Sequence, residues 1–207
     1  MRKKLRPVSL TLGEVLCEPG AAPGKVYFPV TALVSLLAAP ERGTALEVGL
    51  VGPQGMVGVS LALGVRISPV RALVQGEGTA LWMSAPEFSA ELRSNRWLLR
   101  EASRWAHASM TTAMYIAACN SAHLLEQRLA RWLLMMSDAL SLRAFYLKQD
   151  FLAQMLGVRR NAVSEVASRL QARGVIEYQR GNVEILDLKK LRAASCRCYG
   201  VIQNLTR

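Results

Sequence analysis

The 207-residue sequence predicts an α+β chain with three parts in order: a β jelly-roll, a long dimerisation helix and a winged helix-turn-helix. Three observations carry that expectation. Residues 8 to 83 hold short alternating or apolar runs punctuated by glycine and proline, the mark of a sandwich or jelly roll. Residues 95 to about 118 contain neither glycine nor proline and repeat apolar residues at helical spacing. Residues 148 to 181 read as two short helices across a tight glycine turn, followed by a hairpin.

The expected strands are Glu14 to Cys17, Val26 to Pro29, Ala32 to Leu37, Ala45 to Val51, Val70 to Gln75 and Ala80 to Met83. Their corners fall at Gly13-Glu14, Pro19-Gly20, Tyr27-Phe28-Pro29 and Gly52 to Gly58. Ser84 or Ala85 then caps a helix, with Pro86 where its missing N–H costs nothing. In the long helix Leu98, Ala102, Trp105, Ser109, Thr112 and Ile116 form a broad stripe of large and small residues. At 1.5 Å per residue it is about 35 Å long, more than a small sandwich covers, so a second copy about a two-fold axis is the simplest partner. Cys119-Asn120-Ser121 reads as a break, and Ala122 to Ser137 as the next helix, with Leu124, Leu125, Leu129, Trp132, Leu133 and Met136 inward.

The helix-turn-helix begins at about Asp150, where Phe151, Leu152, Met155 and Leu156 share a face and Gly157 ends the first helix. The second helix, at about 159–171, turns Val163, Val166, Ala167 and Leu170 inward and Arg159, Arg160, Asn161, Ser164, Glu165 and Ser168 outward. The outward set suits base edges and phosphates in a major groove, with Arg169 and Arg180 on the backbone. Gly174 closes this helix, Val175 to Gln179 and Val183 to Leu186 form a hairpin, and Arg180 stands at its tip. A short helix capped by Asp187 and a tail through Cys196 and Cys198 follow. The expected domains are 1–94, 95–120, 121–190 and a tail at 191–207.

Charge points the same way. The formal net charge is +11, and residues 141–207 hold 12 lysines or arginines against 5 acidic residues. Such a field favours a polyanionic partner. No apolar run is long enough to span a membrane, and Met1-Arg2-Lys3-Lys4-Leu5-Arg6 leads into Pro7 and a strand pattern rather than a signal core, so a cytoplasmic location is expected. Cys17, Cys119, Cys196 and Cys198 lack a disulfide-framework spacing. Cys119 and His123 are four apart, but two ligands do not close a zinc site and no third or fourth is evident nearby, so no metal is expected. Cys196-Arg197-Cys198 lies in a basic tail that would lower a thiol pKa, which leaves a redox or metal role open beside the plainer reading of adjacent solvent-exposed thiols. No triad, phosphate loop or carboxylate pair suggests an enzyme.

The order of parts resembles the Crp/Fnr family of bacterial transcription regulators. The sharpest section is Asp150 to Asp187, with Leu-Ala-x-Met-Leu-Gly-Val, Val-Ser-x-Val-Ala-x-x-Leu and Gly-Val-Ile-x-Tyr-x-Arg-Gly. Gly13-Glu14, Tyr27-Phe28-Pro29 and residues 52 to 58 look like its cyclic-nucleotide-binding-type barrel. The resemblance implies a homodimer on double-stranded DNA, reading an inverted repeat with one helix per half-site, and leaves RNA polymerase open as a further partner.

Departures from the family pattern shape the remaining expectations. Cyclic-AMP-binding members hold the ribose with a Gly-Glu carboxylate, whereas this chain reads Gly52-Pro53-Gln54. Gly52, Gln54, Gly55, Arg66 and Arg71 remain as an effector pocket, but a buried ribose hydroxyl without its acceptor costs about 1–3 kcal/mol. Iron–sulfur members carry a cysteine cluster near the N-terminus, where this chain offers Cys17 alone, and the haem-sensing member uses a barrel histidine, whereas His107 and His123 fall on predicted helices. The resemblance therefore implies neither cyclic AMP, haem nor an iron–sulfur cluster. Arg160 matches the family's first reading arginine, but Asn161 replaces its glutamate and Glu165 its second arginine, so a different operator is implied. The alternative function is a small-molecule or thiol-redox sensor in which DNA binding is secondary.

Overall fold

The computed structural model describes residues 4–39 and 45–205. The basic start Met1-Arg2-Lys3 and the last two residues of the 191–207 tail lie outside the described residues, as do residues 40–44. Contacts divide the chain into two compact units, one built chiefly on the stretch up to Ala38 and on Val48–Ala113, the other chiefly on Met114–Asn204.

The first unit is the expected β domain. Strands β1 (Arg6–Leu10), β2 (Val15–Cys17), β3 (Lys25–Pro29), β4 (Leu33–Ala38), β5 (Leu46–Val51), β6 (Arg71–Gly76) and β7 (Gly78–Ser84) form two sheets, ordered β1-β7-β3 and β2-β6-β4-β5. Alternation sets the register: Val26 lies opposite Met83 and Tyr27 opposite Trp82 in the antiparallel β3–β7 pair. Leu10, Tyr27, Val34, Val51, Val57, Val74 and Ala80 fill one part of the core. Val26, Met56, Met83 and Phe88 fill the other, together with Leu98 and Ala102 of the long helix. Helix α1 (Ala85–Ser94) starts at Ser84, which settles the capping residue: its hydroxyl accepts from Glu87 N–H while the Glu87 carboxylate accepts from Ser84 N–H.

Helix α2 (Arg96–Ala122) runs 27 residues, about 40 Å. The break expected at Cys119-Asn120-Ser121 is corrected: α2 continues through all three, since none is glycine or proline and Cys119 is fully buried on the inward face. The chain bends instead at His123 and Leu124, and Leu124 adopts an extended backbone before α3 (Leu125–Leu140). His123 is therefore between helices rather than on one.

In the second unit α3 packs on α4 (Gln149–Leu156), α5 (Arg160–Ala172) and α6 (Leu188–Ala194). Its core includes Leu129, Trp132, Leu133, Met136, Leu152, Leu156, Val163, Val166 and Leu170, each nearly inaccessible to water. Strands β8 (Ala144–Tyr146), β9 (Ile176–Gln179) and β10 (Asn182–Ile185) form a small sheet ordered β8-β10-β9. Helix α7 (Cys198–Leu205) occupies what the sequence reads as tail. Gly200, Val201 and Ile202 make it a weak helix by propensity. Packing holds it: Tyr199 and Ile202 are buried, and the Tyr199 hydroxyl donates to Asp138 of α3 at 2.6 Å. Burial and that bond push the Tyr199 phenol up to about 12, so it stays a donor.

Candidate nucleic-acid interface

The turn between α4 and α5 depends on Gly157, whose φ of +64° lies in the left-handed region and whose N–H bonds back to the last turn of α4. Arg159, with an extended backbone, stands at the N-cap position of α5 without a side-chain capping bond, and the helix divides cleanly into two faces. Val163, Val166, Ala167 and Leu170 are buried, while Arg159, Arg160, Asn161, Glu165, Ser168 and Arg169 are exposed. Arg160 is held only at 3.5 Å by Asp150, with 61% of its side chain open to solvent. Such a guanidinium is free to reach a groove.

Three residues of the expected set, Ser164, Glu165 and Arg169, have local duties. The Ser164 hydroxyl donates to Gln149 Oε1 at 2.6 Å and ties α5 to α4. Arg169 pairs with Glu165 at 2.6 Å and with Glu126 at 3.5 Å, and Glu126 also binds Arg173. Sequence reasoning does not single out Gln149, Glu126 or Arg173, because their partners lie in other helices and no local pattern marks them.

The hairpin tip is a two-residue loop. Asn182 lies opposite Gln179, and Arg180 and Gly181 both take positive φ, 50° and 88°, the twist that closes a tight antiparallel turn. Arg180 is exposed there. The Tyr178 hydroxyl donates to Leu147 O at 2.6 Å and anchors the wing; burial pushes its phenol up to about 12.

Of the residues of the expected effector pocket, Gly52 and Gly55 meet in one turn, where Gly55 N–H donates to Gly52 O at 3.0 Å. Arg66 lines a groove of about 790 Å³ in the first unit, with Arg93 and Arg96 nearby along its rim. Arg71 is paired with Glu18 at 2.8 Å. Gly52, Gln54 and Gly55 are not among the lining residues of that groove; Gly55 lies directly beneath the Trp105 indole, which donates to Met56 O at 2.9 Å.

The cysteines are corrected more sharply. Cys196 and Cys198 are buried rather than solvent-exposed, and they stand beside Cys119 and His123. The third and fourth donors that the sequence does not place near Cys119 and His123 are thus supplied from 75 and 77 residues away. The Cys119 and Cys196 sulfurs are 3.4 Å apart. Their mutual hydrogen bond raises the Cys119 thiol and lowers that of Cys196, with buried Arg131 favouring the anion. Among the described residues no helix is long and apolar enough to cross a membrane.

Residues 127–194 match the family model of the Crp-like helix-turn-helix domain. No curated protein matches the chain in sequence. Solved structures share its fold. FixK2 from Bradyrhizobium japonicum is 14% identical with a TM-score of 0.79, covering 93% of this chain and 98% of that one. A Crp/Fnr-family transcriptional regulator from Thermus thermophilus is 24% identical with a TM-score of 0.74, covering 92% and 98%. The c-di-GMP-responsive global regulator CLP of Xanthomonas campestris is 16% identical with a TM-score of 0.72, covering 89% and 95%. The chain therefore carries a Crp-like helix-turn-helix domain and shares, over nearly its whole length, the fold of solved Crp/Fnr-family regulators.

Proposed function

We propose that the protein acts in the cytoplasm as a homodimer that binds an inverted repeat, with α5 of each copy in a major groove, and that it regulates rather than catalyses. The observation that carries this reading is the division of α5: a buried apolar back and an exposed front bearing Arg159, Arg160, Asn161 and Glu165. Arg160 would take guanine, Asn161 adenine and Glu165 the amino group of cytosine, while Arg169 and Arg180 hold phosphates.

The pairing surface is the outward side of α2. Ser103, His107, Met110, Met114, Ala117 and Ser121 are spaced at alternating steps of four and three residues, the spacing of a seam between two helices. Met110 and Met114 expose more than half of their surface, which a second copy would cover.

Selection of bound duplexes from a random pool tests both parts. Recovery of a shared motif with two-fold symmetry is the expected result, and a protein that is dimeric by sedimentation should give it. Sequences without common symmetry, or a monomer at binding concentrations, would remove this reading.

A further inference from the structure

The cysteine and histidine cluster lies outside α5, yet it is built like a binding site. Cys119 and His123 are one helical turn apart, so their side chains emerge on one side of the α2 end. Cys196 lies in the short bend between α6 and α7, and Cys198, just past Arg197, opens α7. All four donor atoms lie within 4.8 Å of one another, and three of the four residues are buried.

We propose that Cys119, His123, Cys196 and Cys198 form a Cys3His site for one thiophilic divalent cation of the zinc class. A tetrahedral ion with Zn–S of about 2.3 Å and Zn–N of about 2.0 Å spaces its ligands by about 3.5–3.8 Å. The Cys119 and Cys196 sulfurs are 3.4 Å apart, and Cys198 Sγ lies 3.8 Å from His123 Nδ1. These two of the six ligand spacings are close to those values, and the other four are no more than 4.8 Å. In an iron–sulfur cubane the irons and sulfides intervene between the thiolates and hold them farther apart, so this spacing suits a single ion. Three thiolates and an imidazole select a soft or borderline cation over magnesium or calcium.

Coordination displaces the proton of each thiol that is not already ionised and leaves the imidazole neutral, bound through Nδ1. Three thiolates and a divalent ion carry one net negative charge. Arg131, 2% exposed, is the adjacent cation: its field acts on all three thiols, and among the described residues its Nε has no hydrogen-bond partner. The ion would join the end of α2 to the junction of α6 and α7, closing a loop of more than seventy residues around the DNA-reading helices.

The test is made on the full chain purified under reducing, oxygen-free conditions. Elemental analysis should find about one zinc per chain. Cobalt added to the metal-free protein should give the intense red-region absorption of tetrahedral coordination and thiolate-to-metal charge transfer in the near ultraviolet. Cys198→Ser should weaken cobalt binding more than tenfold, whereas Cys17→Ser should not change it. Because a ligand variant can fail to fold, the cobalt titration of the unaltered chain decides independently. The proposal is overturned if that chain gives no tetrahedral cobalt spectrum, if it carries iron with sulfide, or if it holds a Cys119–Cys196 disulfide as isolated.

Discussion

Helix α5 and the Cys119–His123–Cys196–Cys198 cluster belong to the same unit but are assembled in opposite ways. The front of α5 collects its side chains from successive turns of one helix, and the same turns supply the buried back that fixes their direction. The cluster joins two segments 77 residues apart, and nothing local to either one announces the other. A periodic helix states its own geometry, because 3.6 residues per turn is a property of the backbone. A site closed by tertiary packing does not, because its distances depend on how α2, α6 and α7 meet.

If the two faces of α5 are as separate as their burial implies, substitutions on them should have separable effects, and the inward one should be the larger. Leu170 is fully buried between α5 and its neighbours. Leu170→Ala should lower unfolding free energy by about 2–5 kcal/mol in a urea titration, through lost burial and the cavity left behind. Arg160→Ala should leave that titration within about 0.5 kcal/mol of the original. It should instead cost about 1–3 kcal/mol in DNA binding and relax preference at one base pair per half-site. An Arg160→Ala protein that binds its selected duplex normally would merge the two faces into an ordinary solvated helix.

Arg180 sharpens the distinction between reading and holding. It stands on the tip of the wing, away from α5, with no carboxylate paired to it among the described residues. Arg180→Ala should reduce the slope of log affinity against log salt by about 0.9, one phosphate contact, and leave the selected motif intact. A changed motif with an unchanged slope would place Arg180 on the bases.

The contrast also explains what can be read from the chain. The strands of the first unit, the turn at Gly157, the inward residues of α5 and the cap at Asp187 each follow from residues within a few positions of one another, and each is present. The end of α2 is hard to place because Cys119-Asn120-Ser121 has the composition of a cap, while the buried position of Cys119, which keeps it helical, is set by α6 and α7. Helix α7 escapes a local reading because its sequence favours helix weakly and Asp138, the acceptor of the Tyr199 hydroxyl, is contributed by α3. Ser164 reads as free to reach DNA because Gln149, which binds it, lies 15 residues away in another helix. The cluster reads as two unrelated pairs for the same reason.

Asp187 is where local and distant structure meet, and it supplies the smallest effect. It caps α6 by accepting from Lys189 N–H at 2.9 Å and Lys190 N–H at 3.0 Å, and α6 leads directly to Cys196. Those backbone bonds, Lys190 first, lower the Asp187 pKa below the ordinary carboxylate value of 3.8. A carboxylate favoured in the folded state stabilises the fold fully above its unfolded pKa, and that contribution fades as pH falls through the folded one. The melting temperature of the unaltered chain should therefore drop more steeply than that of Asp187→Asn as pH is lowered from about 5 towards about 3, because asparagine caps the helix without titrating. Asp187→Ala, which removes the acceptor, should melt lower than either at about pH 7. Parallel pH profiles for the original chain and the asparagine variant would mean that the charge at this cap contributes nothing, and that α6 is held by burial of Leu191 alone.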